Sequence, residues 1–435
     1  MITIPGKYTT AKVMIDNIEE GCISQITTFI NHPAFTNPVA IMPDCHQGKG
    51  SVIGFTMKLT NKIIPNIVGV DIGCGILSFN VGSSLPISLK ELDDQIRLSI
   101  PFGMAVHSNA ITNMERAFPW TEATDLAHRF LIAYQNKFQS YHHYPIYNNE
   151  WFLKKCEQVG GGTGRIINSL GTLGGGNHFI ETGISTKGEY WITIHSGSRN
   201  FGKRICDYWQ GKASSILRRE KTAKLKEMVD DIKSKYSGVD VARQIESAKE
   251  SLGLNNKITT GLEYLEGDDA VNYLFDMVFA QVYAKVNREY MKNIICRILK
   301  MDSIDEIETT HNFIDFKDFI IRKGAIRSYV GERMVIPFNM RDGILICEGK
   351  SNPEWNYSAP HGAGRVMSRS VAKRSIDLDT FKQQMNNIYS TSVGTSTLDE
   401  APEAYKDPEI IRQAIEPTAV ILDSIKPIHN MKATN

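Results

Sequence analysis

Gly69-Val70-Asp71-Ile72-Gly73-Cys74-Gly75 is the stretch on which the chain turns. It follows the apolar run Ile63, Ile64, Ile67 and Val68, which is too short for a helix and reads as a buried strand. Three glycines in seven residues then mark a tight turn that other backbone approaches closely. The turn presents a carboxylate, Asp71, and a thiol, Cys74, three positions apart. A thiolate has lone pairs enough to bridge two cations, with Asp71 on one of them. Taken alone, Asp-x-x-Cys is more economically a buried cysteine beside a turn aspartate. What surrounds it reverses that preference.

On either side, up to about residue 110, short apolar runs (Val39 to Met42, Val52 to Met57, Ile76 to Phe79) alternate with Gly/Pro turns, a mixed α/β texture. Met42 to Gly50 reads as a second polar, glycine-rich loop, in which Asp44 is a satisfied turn aspartate and His46 a histidine behind a ligand. Trp120 to Lys155 has helical spacing in Leu126, Phe130, Leu131, Tyr134 and Phe138 and carries no chemistry. Two glycine-dense stretches follow, Val159 to Gly164 and Gly171 to His178. Neither has the Gly-Lys-Ser/Thr ending of a P-loop. The second delivers Asn177 and His178 where a loop becomes a strand, just before Phe179-Ile180-Glu181. Tyr190 to Ile194 is a β-run, and His195-Ser196-Gly197-Ser198-Arg199 at its end could form an anion-binding nest.

From about residue 203 to 292 the periodicity is helical. Ile216, Leu217, Leu225, Met228, Val229 and Ile232 sit among Arg218, Arg219, Lys221, Lys224, Lys226, Lys233 and Lys235. This predicts a helical arm with a basic side, by default a solvated face and alternatively a surface that tracks an RNA backbone. Leu274, Met277, Val278, Val282 and Val286 predict a second helix with its apolar stripe on the main body. Thr309-Thr310-His311-Asn312-Phe313 and Ile321 to Ala325 return to loop-plus-strand texture. Tyr357 to Arg365 places His361 after Pro360 and before Gly362, Ala363 and Gly364, small residues that a large ligand can approach. Val366 to Arg374 reads as the start of a basic helix.

The 435 residues are 42% hydrophobic and 22% charged, enough for a sizeable core. A net charge of +1 gives no global field for nucleic acid or membrane, so any polyanion site is local. Every apolar run is interrupted before membrane-spanning length. Met1 to Lys12 lacks a secretory pattern, and seven scattered cysteines give no disulfide framework, so a reducing cytoplasm is expected.

Four histidines, His178, His195, His311 and His361, stand beside glycines or strand ends, and with Asp71 and Cys74 they can hold a dinuclear cation site. Ligand softness alone favours zinc. Asn177, Arg199, Lys323 and Arg365 lie among phosphate-friendly loops. Metals beside anion donors point to phosphoryl or nucleotidyl transfer, with a histidine not used as ligand free to attack phosphorus.

These residues sit in MPDCHQGKG, VGVDIGCG, GTLGGGNHFIE, HSGSR, THNF, RKGA, HGAGR-MSR and DEAPEAYKD. In that order, over most of its length, the chain resembles the RtcB family of RNA-splicing ligases. The resemblance implies a single α+β domain over 1–435, with packed sheets and helices around a dinuclear metal cleft, and an arm at 203–292 inserted within it. It implies joining of RNA 3′-phosphate or 2′,3′-cyclic phosphate ends to 5′-hydroxyl ends, with GTP and two manganese ions; manganese thus comes from the family. Residue by residue, it implies Cys74 bridging the metals, Asp71 and His178 completing one, and His195 and His311 the other. His361 would form a histidine-GMP phosphoramidate. Asn177 would contact phosphates, with Phe179, Glu181, Tyr405 and Lys432 at guanosine and Gly362, Ala363 and Gly364 close to the nucleotide. Arg199, Lys323 and Arg365 would meet phosphate.

Where the family usually has Pro-Gly-Ser-Met along the nucleotide phosphates, this chain has Pro337-Phe338-Asn339-Met340, so Pro337, Asn339 and Met340 are carried over with Phe338 as a departure. Its usual Lys-Gly near the C-terminus is Lys432-Ala433 here. These differences suggest a divergent paralogue for RNA repair. The competing class is a dinuclear metallophosphohydrolase acting on RNA ends without joining them. A monomer, outside membranes, with an activating partner such as archease completes the expectation.

Overall fold

The computed structural model describes residues 1–254 and 261–434. Strands run in chain order as β1 (Ile2–Pro5), β2 (Thr10–Val13), β3 (Val39–His46), β4 (Ile53–Lys58), β5 (Gly75–Gly82), β6 (Phe179–Ser185), β7 (Tyr190–Ser196) and β8 (Asp305–Thr310). They continue as β9 (Asn312–Ile314), β10 (Ile320–Lys323), β11 (Ala325–Arg327), β12 (Arg333–Pro337), β13 (Ile344–Gly349), β14 (Ser358–Pro360) and β15 (Ala419–Met431). One sheet has the order β1-β2-β3-β4-β10-β9, a second β12-β13-β15-β6-β7-β5-β8, and β11 pairs with β14. Sheets and helices pack as one α+β domain.

The seven-stranded sheet carries the site. Its central strands β5 and β7 are buried nearly throughout, as β-branched and aromatic runs covered on both faces should be. Leu77, Phe79, Ile192 and Ile194 pack on Met291, Ile295 and Leu299 of the helix Gly267–Leu299. On another face Ile76, Trp191, Ile307, Val335 and Ile425 form a second cluster. The sheet's outer strands meet as well: Arg333 of β12 donates two hydrogen bonds to Asp305 of β8, both at 2.6 Å. The sheet is therefore curled nearly onto itself.

Three sequence expectations change. Pro65–Val68 is a single helical turn, and the strand comes after the glycine turn as β5. All four residues are buried, which erases the periodicity, while Pro65 starts a helix readily because its missing N–H would be unpaired there anyway. Met42 to Gly50 is a loop only in its second half, since β3 runs on to His46 with a register shift against β4 between Ile41 and His46. Finally, Gly267–Leu299 packs on the body, as its apolar stripe predicts, but is buried well beyond that stripe. Tyr273, Phe275, Phe279, Tyr283 and Ala284 are buried along with Leu274, Met277, Val278 and Val282, so residues 267–292 of the expected arm are core. Residues 255–260 of that expectation lie outside the described residues. The helix Arg199–Lys235 is buried mainly in its first half, around Phe201, Ile205, Trp209 and Ala213.

Candidate active site

Antiparallel neighbours place the start of one strand beside the end of the next. In the order β6-β7-β5-β8 this gathers four side chains at one sheet edge. His178 precedes β6, His195 is the penultimate residue of β7, Cys74 precedes β5 and His311 follows β8. The register pairs His195 with both Phe179 and Ile76, and Gly75 with Thr310. Cys74 Sγ lies 3.5 Å from His178 Nε2 and 3.4 Å from His195 Nε2. His195 Nε2 is 3.3 Å from His311 Nε2, and His178 Nε2 is 3.1 Å from Asp71 Oδ2. Two triads result, Asp71/Cys74/His178 and Cys74/His195/His311, with the donor atoms of each within 4.8 Å of one another.

Hydrogen bonds hold the outer atoms of three of these side chains, His178, His195 and Asp71, whereas the buried Nδ1 of His311 has no partner. Nδ1–H of His178 donates to the Leu173 carbonyl at 2.9 Å, and that of His195 to the Asn177 carbonyl at 3.1 Å, which aims both Nε2 atoms inward. Asp71 Oδ1 accepts from Ser198 N and Oγ at 3.1 and 3.3 Å. Gly197 is required beside it, because a Cβ there would overlap the Asp71 carboxylate. Gly174, at φ +94°, lies under the Arg199 guanidinium, with a would-be Cβ 2.6 Å from His178 Nδ1. Arg288, fully buried, donates Nη1 to the Gly73 and Ser196 carbonyls at 2.9 and 2.8 Å and pairs with Glu308 at 2.7 Å, tying the two turns together.

Burial, and then neighbouring histidines, hold His195 and His311 well below the ordinary histidine range, so both are neutral ligands in waiting. Burial first, then the Asp71 charge, pushes the Cys74 thiol up. Burial also opposes ionisation of Asp71, but the His178 hydrogen bond and the charges of His178 and Arg199 outweigh it and keep the carboxyl low. Nitrogen, sulfur and carboxylate atoms converging in two triads can take cations in place of the protons they share, the thiol proton included. The donor set fits two divalent ions sharing Cys74, and suits zinc as well as manganese.

His361 follows β14 directly. Its Nδ1 and backbone N–H both meet Asp44 Oδ2, at 2.6 and 3.2 Å. Asp44 is wholly buried and its Oδ1 has no partner. The His361 ring centroid is 4.7 Å from that of His311, so Nε2 is the free nitrogen beside the cation group.

A cavity of about 670 Å³ opens from there. His195, His361, Asn177, Phe179, Glu181, Pro337, Asn339, Met340, Gly362, Ala363, Gly364, Arg365, Tyr405 and Lys432 all line it. Lys432 Nζ sits 5.4 Å from the Phe179 ring centroid and 2.7 Å from Glu400 Oε2. Tyr405 OH donates to the same oxygen at 2.7 Å, and Arg369 Nη1 to Glu400 Oε1 at 2.5 Å. Burial works to raise Glu400, yet Lys432 and Arg369 outweigh it and hold the carboxyl at about 2. Glu181 has no such cation in contact, and burial pushes it up to about 8 against a hydrogen bond from Asn430.

Two residues expected at phosphate, Lys323 and Arg199, do not line this cavity. Lys323 Nζ donates to the Lys49, Ser51 and Asn66 carbonyls, so its protons are taken, and burial lowers it to about 7. Arg199 spends Nε on Thr172 Oγ1 at 2.9 Å and Nη2 on the Gly103 carbonyl at 3.0 Å; it abuts the ligand group and not the cavity. Phe338 buries its ring with Met334, Ile336, Leu345 and Ala363 under the Arg412 guanidinium, 5.4 Å away. Asn339 is engaged in its own turn: Nδ2 donates to Asp342 at 2.7 Å and Oδ1 accepts from Arg341 N at 2.9 Å.

The sequence reading missed Arg288, Glu400, Arg369 and Asn430, and undervalued Asp44. Arg288 leaves no trace, since Lys285, Lys292 and Arg297 stand on the same helix and only burial sets it apart. Asn430 leaves a faint one, two positions before Lys432, the spacing that puts side chains on one face of an extended chain.

A model of the family described as "tRNA-splicing ligase RtcB" matches residues 25–433. Among curated relatives, the RNA-splicing ligase RtcB of Escherichia coli K12 is 27% identical, with 94% of each chain covered. The tRNA-splicing ligase RtcB of Archaeoglobus fulgidus is 25% identical over 93% of this chain and 89% of its own. The RNA-splicing ligase RtcB homolog 2 of Entamoeba dispar is 25% identical over 94% of this chain and 82% of its own.

Proposed function

Because the chain belongs to the RtcB family, we propose that it is an RNA ligase joining 3′-phosphate or 2′,3′-cyclic phosphate ends to 5′-hydroxyl ends with GTP and manganese. The observation that carries this reading is the position of His361. It stands in the cavity wall, oriented by buried Asp44 at 2.6 Å, with its ring against His311 of the cation group.

Nδ1–H is held by the Asp44 carboxylate, so Nε2 keeps its lone pair and attacks the α-phosphorus of GTP. The N–P bond forms as the bond from that phosphorus to the bridging oxygen breaks, and pyrophosphate leaves. An oxygen of the RNA 3′-phosphate then takes the GMP, and Nε2 regains its lone pair. The 5′-hydroxyl oxygen attacks the RNA phosphorus, GMP departs, and the hydroxyl proton is lost to solvent. A cyclic end is first opened by water. Asp71, Cys74 and His178 would hold one cation and Cys74, His195 and His311 the other. Bound there, the two ions neutralise the phosphoryl oxygens and orient them. Asp44 stabilises the charge that develops on His361, and Arg365 and Asn177 line the path of the phosphates. We place guanine between Phe179 and the Glu181 face, with Tyr405 and Lys432 alongside.

No described helix is long and apolar enough to cross a membrane. The proposal is a cytoplasmic monomer of one ligase domain, working in RNA repair and aided by an archease-like activator. Purified protein given RNA with a 2′,3′-cyclic phosphate and a 5′-hydroxyl should yield joined product only with GTP and manganese. Ends opened at the same rate without GTP, and never joined, would replace the ligase with a metallophosphohydrolase. Joining tRNA halves as efficiently as other broken RNA would remove the repair assignment alone.

A further inference from the structure

Two buried oxygens in the cavity wall have no partner, Glu181 Oε1 and Asn430 Oδ1, and they belong to neighbouring strands. β15 pairs antiparallel with β6, and Asn430 stands directly opposite Glu181. Because side chains alternate along a strand, Phe179 and Glu181 of β6 share a face with Asn430 of β15, and all three line the cavity together with Lys432, which follows β15. Glu181 and Asn430 are 2% and 1% exposed.

The contact between them fixes what each has left. Asn430 Nδ2 donates to Glu181 Oε2 at 2.8 Å. Once Glu181 is ionised its oxygens can only accept, so in that form the amide nitrogen faces it and the amide oxygen turns away. Glu181 is left with one oxygen, and Asn430 adds the second. The nearby Glu400 is not available, since Lys432, Tyr405 and Arg369 occupy it. Buried acceptors without donors are costly, and a ligand edge with two adjacent N–H groups would satisfy both.

Resting on the reading that this cavity takes a guanosine nucleotide, we propose that Asn430 is a specificity-determining residue whose Oδ1 accepts a hydrogen bond from the 2-amino group of the base. Glu181 Oε1 takes the neighbouring N1–H. Adenine has an acceptor at N1 and no 2-amino group, so it would set acceptor against acceptor. Hypoxanthine keeps N1–H and lacks only the amino group, which isolates Asn430.

The test is equilibrium binding of GMP and IMP, measured by titration calorimetry on the whole protein and on Asn430→Val. The wild type should bind GMP about tenfold or more tighter than IMP. The variant should bind both within about twofold of each other, at the wild-type IMP level. Equal wild-type binding of GMP and IMP overturns the proposal without any variant, as does a variant that still prefers GMP tenfold. Should Asn430→Val not fold, Asn430→Thr, which keeps an acceptor, should retain part of the preference, and loss of all of it counts against the proposal. GMP preference without any covalent adduct from GTP would sink the ligase reading and leave Asn430 standing. Binding of neither nucleotide sinks both.

Discussion

The cation group and the cavity proposed for the nucleotide share a wall, His195 and His361, and are built in opposite ways. Asp71, Cys74, His178, His195 and His311 come from strand ends and turns around one sheet, with His178 and His195 oriented by backbone carbonyls and the ligating atoms of all five converging in two triads. The cavity is closed by β6, β15, the turn after β12 and the segments around His361 and Glu400. There the charges are already balanced: Glu400 by Lys432 and Arg369, and Arg365 by Glu400 and the Tyr405 ring. One region waits for charge and the other for shape and hydrogen-bond donors. The difference teaches that metal and nucleotide can be removed separately, with His361 as the joint between them.

The sharpest separation is Cys74→Ala. Both triads use its sulfur, so bound metal measured by elemental analysis should fall to background and ligation by roughly 10²–10³-fold or more, while GMP still binds. Retained metal would break the comparison. Asp44→Asn acts at the joint. Adduct formation should slow by about 10²–10⁴-fold, with KM for GTP moved less than about twofold, because only the partner of His361 Nδ1 changes. A large KM effect with unchanged rate would assign Asp44 to the cavity instead.

The third prediction uses Glu181 alone. Its carboxyl, pushed up to about 8 by burial, must ionise to accept base N–H groups. GMP affinity should therefore rise with pH from 6.5 and level off above about 8, by at most tenfold per pH unit, and be flat in Glu181→Gln. The free protein shows the opposite trend. Its folded state holds this proton between the ordinary 4.5 and about 8, so the stability it lends is full below that window and lost as pH rises through it. The smallest effect on activity is expected from Phe338→Gly. The ring belongs to the core, so KM for GTP should change less than about threefold while stability falls by about 3–5 kcal/mol in urea unfolding.

Much of the cation group was legible in residue types: an Asp-x-x-Cys turn and histidines at strand ends have few other uses in combination. Their division into two triads was not, because it depends on strand order, which no local pattern carries; the family resemblance supplied it. Mixed α/β texture was visible, yet Pro65–Val68 was taken for a strand because burial on all sides leaves no period to read. Asp44 looked like a turn residue because the bulge in β3 breaks the alternation around it. The surroundings of Lys323 were hidden for a different reason: a lysine beside glycine suggests phosphate, and only the fold reveals three carbonyls around it. Asn430 and Glu400 matter through partners far away in sequence, a relation that spacing cannot express.

The central claim is that His361 becomes covalently bonded to GMP beside the cation group. Incubation of the purified protein with α-labelled GTP and manganese, without RNA, followed by a denaturing gel, tests it most directly. A labelled protein band that is acid-labile, stable to alkali and absent in His361→Ala is expected. A band that persists in His361→Ala, or no band from protein that binds both metal and GMP, would contradict it.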